Sequence, residues 1–362
     1  MLTGEQLPDG LPTPATVVFA DRLERNLAAM AAFASDAGMA LRPHAKTHKC
    51  VEIARRQLAL GARGLSVATV GEAEALTAGG QLHPADVFIA YPVWAEDDII
   101  DRVGRLGRHA QITVGVDSPE AVGRLAPLAG QVRVMVELDC GLRRTGVLAE
   151  NAVEVAQAVQ RARLELAGIF TFPGHSYAPG AGRGAAEDEA ATLIKGAEIL
   201  AAAGFDGLQR SGGSSPSAKH AHPDALTELR PGVYVFNDAM QLELGAATMD
   251  EVALMVAATV ISRPAAGRLV LNAGSKVLGA DRPAWTTGHG RLADWPEARI
   301  VGLWEHHAVV TLDDDPGPAL GETVAVVPNH TCTAVNLVPE LLVVQNNHIA
   351  AHWPVAARAA NR

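Results

Sequence analysis

The chain has 362 residues, of which 48% are hydrophobic and 19% charged, and it carries a formal net charge of -10 at pH 7. That length exceeds one small core and fits two domains, or a barrel with an appendage. An acidic balance disfavours nucleic acid and anionic membrane surfaces, both of which attract a basic face, so the expected partner is a small-molecule substrate.

No run approaches the roughly 18 consecutive apolar residues of a membrane span, and the start MLTGEQLPDGLPTP has no basic and apolar regions of a signal peptide. A cytoplasmic location is therefore expected. Cys50, Cys140 and Cys332 are odd in number and far apart, which favours free thiols over a disulfide framework.

From residue 14 the chain alternates short β-branched runs with segments whose apolar residues recur at helical spacing. ATVVFA precedes DRLERNLAAMAAFASDAG, and ALRPHAK precedes CVEIARRQLALGA. GLSVAT, DVFIAYP, QITVGVD, VRVMVELD and LELAGIFTF each lead into a helical pattern, and GLQRSGG closes the series. Eight such strands before residue 215 predict a (β/α)8 barrel of the TIM type, because eight is the number at which a parallel sheet with helical crossovers closes. Polar residues gather at the C-terminal strand ends, where barrels build their sites: His44, Lys46, Thr69, Tyr91, Asp117, Asp139, His175 and Ser211 to Ser215.

After about residue 245 the rhythm changes to strand-like runs joined by turns, among them ALMVAATVISRP, RLVLNAGSKVL, ARIVGLWEHHAVVTL and ELLVVQNNHIAAHWPV. The expected division is a barrel over 14–245 and an all-β domain over 246–362, with residues 1–13 associated with the latter.

The chemistry concentrates first in LRPHAKTHKC, residues 41–50. Strand side chains alternate, so Arg42, His44 and Lys46 share one face. A lysine at a barrel mouth beside other cations has its ammonium destabilised, and the neutral amine is a nucleophile suited to Schiff-base chemistry. Such a lysine serves either a carbonyl substrate directly or a bound pyridoxal phosphate. RSGGSSPSA, after the last predicted barrel strand, offers Gly212, Gly213, Ser214 and Ser215 as amides and hydroxyls to a phosphate.

A second signal is VVPNHTCTAVNL. His330 and Cys332 stand two apart in a β-type run, so both are expected on one face, and an imidazole with a thiolate favours Zn²⁺ or a similar transition metal. Two protein ligands leave coordination positions open, as in catalytic sites. Glu305 and His307 would share a strand face; His220, His222, His348 and His352 show no pairing logic.

RPHAKTHK, ATVGEAE, IAYP, VELDCGLRRTG, GHSY, SGGSSPS, ELRPGVYVFND and PNHTC occur in this order over residues 42–332. Together they resemble the D-threonine aldolase and D-serine dehydratase family, pyridoxal-phosphate enzymes built on the alanine-racemase type of barrel. The resemblance implies that Lys46 carries the cofactor, with Lys49 a solvated or phosphate-side charge. It puts His175 near the cofactor ring, Tyr177 near the substrate and Arg144 close to the cofactor, and has Tyr234 hold the phosphate with Gly212, Gly213 and Ser214. His330 and Cys332 would hold a divalent ion, Zn or Mn.

The H-x-C form resembles the dehydratase branch. The expected activity is therefore a pyridoxal-phosphate- and metal-dependent lyase on D-β-hydroxy-α-amino acids, of the D-serine dehydratase kind, giving a 2-oxo acid and ammonia. Retro-aldol cleavage to glycine and an aldehyde is the alternative, and an amino-acid racemase a further one. A homodimer is implied as well.

Overall fold

The computed structural model describes residues 6–82, 85–312 and 315–362. The N-terminal segment expected to join the all-β domain therefore has residues 1–5 outside the described residues.

In chain order β1 (Ala15–Phe19) and α1 (Ala20–Asp36) come first. Then follow β2 (Ala40–Leu41), α2 (Val51–Ala59), β3 (Leu65–Val67), α3 (Val70–Thr77), β4 (Asp86–Pro92), α4 (Asp97–Gly107), β5 (Gln111–Val116) and α5 (Pro119–Leu125). The series continues with β6 (Val132–Glu137), α6 (Ala152–Arg161), β7 (Glu165–Phe170), α7 (Gly182–Ala202), β8 (Gln209–Gly212) and β9 (Glu228–Leu229). Local chemistry sets several helix starts: Thr69 Oγ1 accepts the Glu72 N–H at the head of α3, and Ser118 caps α5 with Pro119 behind it.

Strands β2 to β9 form one eight-stranded parallel sheet in the order β2-β9-β8-β7-β6-β5-β4-β3. Its two end strands are joined by a parallel bridge between His44 and Ser66, with Ala45 N–H donating to the Ser66 carbonyl at 2.8 Å. The barrel is thus closed beyond the short strand β2, by the segment that leads to Lys46.

One expectation needs correction. ATVVFA reads as a barrel strand, but β1 lies in the other sheet, antiparallel to residues 254–257 and parallel to residues 342–344. The eighth barrel strand is instead β9, two residues inside ELRPG, too short to show a period of its own. A β-branched run announces a strand without naming its partner; the ladder does that.

The barrel interior combines aromatic packing with buried charge. Phe88 and Phe170 meet edge to face at 5.0 Å, with Met135 beside them. The guanidinium of buried Arg230 sits over both rings, donating to Ser211 Oγ and to the Thr171 carbonyl, each at 2.6 Å. Arg42 lies between Glu228 and Asp86, 2.8 Å from a carboxylate oxygen of each.

The C-terminal part contains α8 (Ala239–Glu243), β10 (Leu254–Ala265), β11 (Arg268–Leu271), α9 (Ser275–Leu278), β12 (Gly290–Leu292), β13 (Arg299–Leu303) and β14 (Ala308–Thr311). After these come β15 (Thr323–Pro328), α10 (Thr331–Leu337), β16 (Glu340–Gln345) and β17 (His348–Pro354). The sheet runs β13-β14-β11-β10-β1-β16-β17, with β15 pairing β10 and β12. Every pairing is antiparallel except that of β1 with β16. Two apolar clusters sit on it, one around Val260, Leu271 and Ile300, the other around Val17, Phe19, Met255 and Val327 with Leu7 and Leu11 packed in.

The helices α9 and α10 interrupt a region expected to hold strands and turns alone. The compact units interleave in sequence: one comprises residues up to Ala29, Thr47–Glu52 and Val233–Ala359, the other Met30–Lys46, Ile53–Gly232 and Ala360–Arg362. Among the described residues no helix is long and apolar enough to cross a membrane.

Candidate active site

In the barrel unit, half-buried Lys46 follows the closing bridge, and its Nζ stands 5.5 Å from the centroid of the Phe172 ring. Arg144 approaches the same ring, with Cζ at 5.2 Å. Arg42 does not act as the free cation expected next to this lysine, because Glu228 and Asp86 neutralise it. Lys49 is not solvated: it is buried, and its Nζ donates to Asn336 Oδ1 at 2.8 Å within the one compact unit that holds both residues.

Arg144 is positioned by a loop that the sequence prescribes. Asp139 Oδ1 accepts the amides of Gly141 and Arg143 at 2.9 and 3.0 Å, and Asp117 Oδ2 accepts that of Gly146. Gly146 has φ +95, and a Cβ there would lie 2.8 Å from the Asp139 nitrogen. The spacing in DCGLRRTG thus encodes a turn that returns Arg144 to the barrel rim. Glu137, at the end of β6, is buried, and burial raises its pKa although a hydrogen bond from Thr145 and the charge of Arg144 oppose the rise.

His175 Nε2 lies 3.2 Å from Asp188 Oδ2, while its Nδ1 is buried with no hydrogen-bond partner. The ring sits against Gly141, where a Cβ would come within 3.3 Å of His175 Cε1. Tyr177 follows on the same short turn.

The glycine-serine turn after β8 is built around a carboxylate that sequence reasoning missed. Glu189 is completely buried, and its Oε1 accepts Thr171 Oγ1 at 2.7 Å and the Gly213 amide at 2.8 Å. Gly212 leaves room for it, since a Cβ there would stand 2.3 Å from Glu189 Oε1. The Gly213 amide, expected to face a phosphate, is therefore held by Glu189. Burial raises the Glu189 pKa, against the hydrogen bonds from Gly213 and Thr171. Ser214 Oγ lies in a buried chain of hydroxyls, 2.8 Å from both Ser176 Oγ and Ser217 Oγ. Tyr234 belongs to the other unit and is buried in a short turn at Val233–Val235.

The H-x-C motif does not lie in a strand. His330 is the N-cap of α10 and Cys332 stands in its first turn. The pair still meets, because the chain folds at the cap and their side chains hydrogen-bond to each other. Cys332 Sγ also donates to Thr47 Oγ1 at 3.3 Å. Burial works against charge on His330, yet the Cys332 sulfur, Asp238 and Asp281 outweigh it and push its pKa up to about 9.

Asp238, completely buried, accepts the Gln241 amide through Oδ1 and the Thr331 amide through Oδ2, so one carboxylate ties the starts of α8 and α10. Among the described residues no group of three or more His, Cys, Asp or Glu side chains is arranged around a common ion. Glu305 and His307 fall in the exposed turn between β13 and β14 rather than on a strand face.

A barrel with a lysine at the rim of its first strand, joined to a mostly antiparallel β unit, defines the alanine-racemase class of pyridoxal-phosphate proteins. The family profile of the alanine racemase N-terminal domain matches residues 18–240, and that of a putative serine dehydratase domain matches residues 253–344. The D-threonine aldolase of Arthrobacter sp. is 34% identical over 97% of this chain and 93% of its own length. The D-threo-3-hydroxyaspartate dehydratase of Delftia sp. (strain HT23) is 32% identical over 89% of this chain and 91% of its own.

Among solved structures, D-threonine aldolase from Filomicrobium marinum superposes with TM-score 0.88 at 29% identity, covering 98% of this chain and 99% of that one. A cysteine-to-alanine variant of D-threo-3-hydroxyaspartate dehydratase in a metal-free form superposes with TM-score 0.86 at 29% identity, over 95% and 97%. The chain belongs to the D-threonine aldolase and D-serine dehydratase family, and it is a pyridoxal-phosphate-dependent lyase.

The residues present fit that cofactor. Lys46 supplies an amine for its aldehyde, and His175 Nδ1 at the barrel rim is a buried polar atom without a hydrogen-bond partner, which a bound polar group would satisfy. Arg230 was not singled out from sequence; in RPG it reads as an ordinary surface arginine. The imidazole and thiol of His330 and Cys332 fit a transition metal with open positions.

Proposed function

We propose that this chain is a divalent-metal-dependent lyase that removes water from D-β-hydroxy-α-amino acids, as a D-serine dehydratase does, releasing a 2-oxo acid and ammonia. The observation that carries the reading is the hydrogen-bonded pair of His330 and Cys332, an imidazole and a thiol held side by side at the cap of α10. Support comes from two relatives, both named for β-hydroxy D-amino acids, and from the metal-free form of a dehydratase that has lost a cysteine.

Pyridoxal phosphate, when bound, draws electron density from the substrate Cα, and a divalent ion, Zn²⁺ or Mn²⁺, acts as Lewis acid on the β-hydroxyl. The chain's own tasks follow. Lys46 Nζ would carry the cofactor, and the same amine would serve as base for the Cα proton. Arg144, His175, Gly212 and Ser214 would orient the cofactor, and Tyr177 would meet the substrate. His330 and Cys332 would hold the ion, whose charge would assist loss of the β-hydroxyl. Hydrolysis of the resulting enamine gives the 2-oxo acid and ammonia.

Retro-aldol cleavage is a second reading, favoured by the likeness to D-threonine aldolases over nearly the whole chain. The loaded, metal-reconstituted protein is incubated with D-serine, D-threonine and D-threo-3-hydroxyaspartate, and 2-oxo acids, ammonia, glycine and aldehydes are assayed. Pyruvate from D-serine supports dehydration; glycine with acetaldehyde from D-threonine, and no 2-oxo acid, replaces it with the aldolase reading. Racemised substrate alone overturns both.

A further inference from the structure

His330 has a carboxylate beside its imidazole. Its Nδ1 lies 3.5 Å from Asp281 Oδ2, and that same oxygen accepts Thr333 Oγ1 at 2.7 Å. The Asp281 backbone is held as well: its carbonyl accepts Asn329 Nδ2 at 2.9 Å, and the same amide nitrogen reaches the Gly288 carbonyl at 3.0 Å. Residues 329 and 333 flank the histidine and cysteine, so the segment bearing Asp281 is fastened to the motif on both sides. Gly279, with φ +76, lets this segment approach, since a Cβ there would sit 3.0 Å from Thr333 Cγ2.

Resting on the metal reading of the pair, we infer that Asp281 is a positioning residue for that metal. Its carboxylate holds the imidazole proton on Nδ1 and so presents Nε2 of His330 as the donor to the ion. An imidazole free to choose its tautomer or to rotate presents a protonated nitrogen part of the time. A carboxylate on the far nitrogen removes that loss and makes the ligating nitrogen more basic. Asp281 is not itself placed as a ligand, because no three acidic, histidine or cysteine side chains among the described residues converge on a common point.

The test is a Co²⁺ titration of the cofactor-loaded protein, read by the thiolate-to-cobalt absorbance and by chelator competition, for wild type, Asp281→Ala, Asp281→Asn, His330→Ala and Cys332→Ala. Asp281→Ala is expected to bind about 10- to 100-fold more weakly with the cobalt spectrum retained at saturation. Asp281→Asn, which keeps an oxygen acceptor for Nδ1, is expected to lie between it and wild type. Wild-type affinity in Asp281→Ala overturns the inference. A loss in both Asp281 variants as complete as in His330→Ala makes Asp281 a ligand and also overturns it. Undiminished cobalt binding by His330→Ala and Cys332→Ala removes the metal reading itself, and the pyridoxal absorbance of the same samples shows separately whether the cofactor site is intact.

Discussion

Lys46 and Arg144 present their cationic ends to one aromatic ring, that of Phe172, at 5.5 and 5.2 Å from its centroid. They reach it from strand ends far apart in sequence, one just past the bridge that closes the barrel, the other from the Asp139-braced turn. Replacing Lys46 by Ala is expected to abolish the borohydride-trapped cofactor adduct and to lower turnover by about 10²- to 10⁴-fold, the range for loss of an acid-base group. Mass spectrometry of the reduced protein checks the first, and an adduct at another lysine would refute the assignment.

Metal removal separates the lyase from a racemase. Dialysis against a chelator is expected to stop product formation while the pyridoxal absorbance persists, and Zn²⁺ or Mn²⁺ is expected to restore it. Turnover that survives full metal depletion, verified by elemental analysis, would leave His330 and Cys332 without the role proposed.

The Arg42 and Glu228 pair is almost wholly buried, with side-chain exposures of 3% and 1%. Breaking it leaves Glu228 without this cation, while Asp86 keeps Arg133 at 3.3 Å. Arg42→Met is expected to destabilise the protein by about 3–5 kcal/mol, the cost of leaving one member of a buried pair uncompensated. Urea unfolding measures this, and a change below about 1 kcal/mol would mean that water or Arg133 takes over.

Glu137 gives a pH-dependent prediction with a definite sign. Burial raises its folded-state pKa, outweighing the Thr145 hydrogen bond and the Arg144 charge, so the folded protein favours the neutral carboxyl. Its contribution to stability is full below the unfolded value of about 4.3 and is lost as pH rises through the raised folded value. Glu137→Gln never ionises. Relative to wild type it is expected to be more stable at pH 8 than at pH 4, compared by denaturant unfolding at both; a difference independent of pH contradicts the assignment.

Much of this architecture was legible without coordinates, and the misses share a cause. The strands from β3 to β7 follow from runs that contain β-branched residues, and α5 from its serine and proline. What misled was partner choice: β1 carries the same apolar pattern as a barrel strand yet pairs with β10 and β16. The histidine and cysteine were expected to meet through strand alternation and meet instead through a helix cap. Spacing limits which side chains can approach; the local backbone decides how.

The order of the chemistry, with a lysine after the first barrel strand, a glycine-serine turn after a later one and a histidine-cysteine pair near the end, was determined by sequence alone, because each of these lies within a few residues. Asp281 beside His330, Glu189 beneath the Gly213 amide and Arg230 over two phenylalanines were decided only by tertiary structure. These partners are 24 to 142 residues apart, and burial, which forces a polar group to find a partner wherever the fold provides one, leaves no periodic mark in the chain.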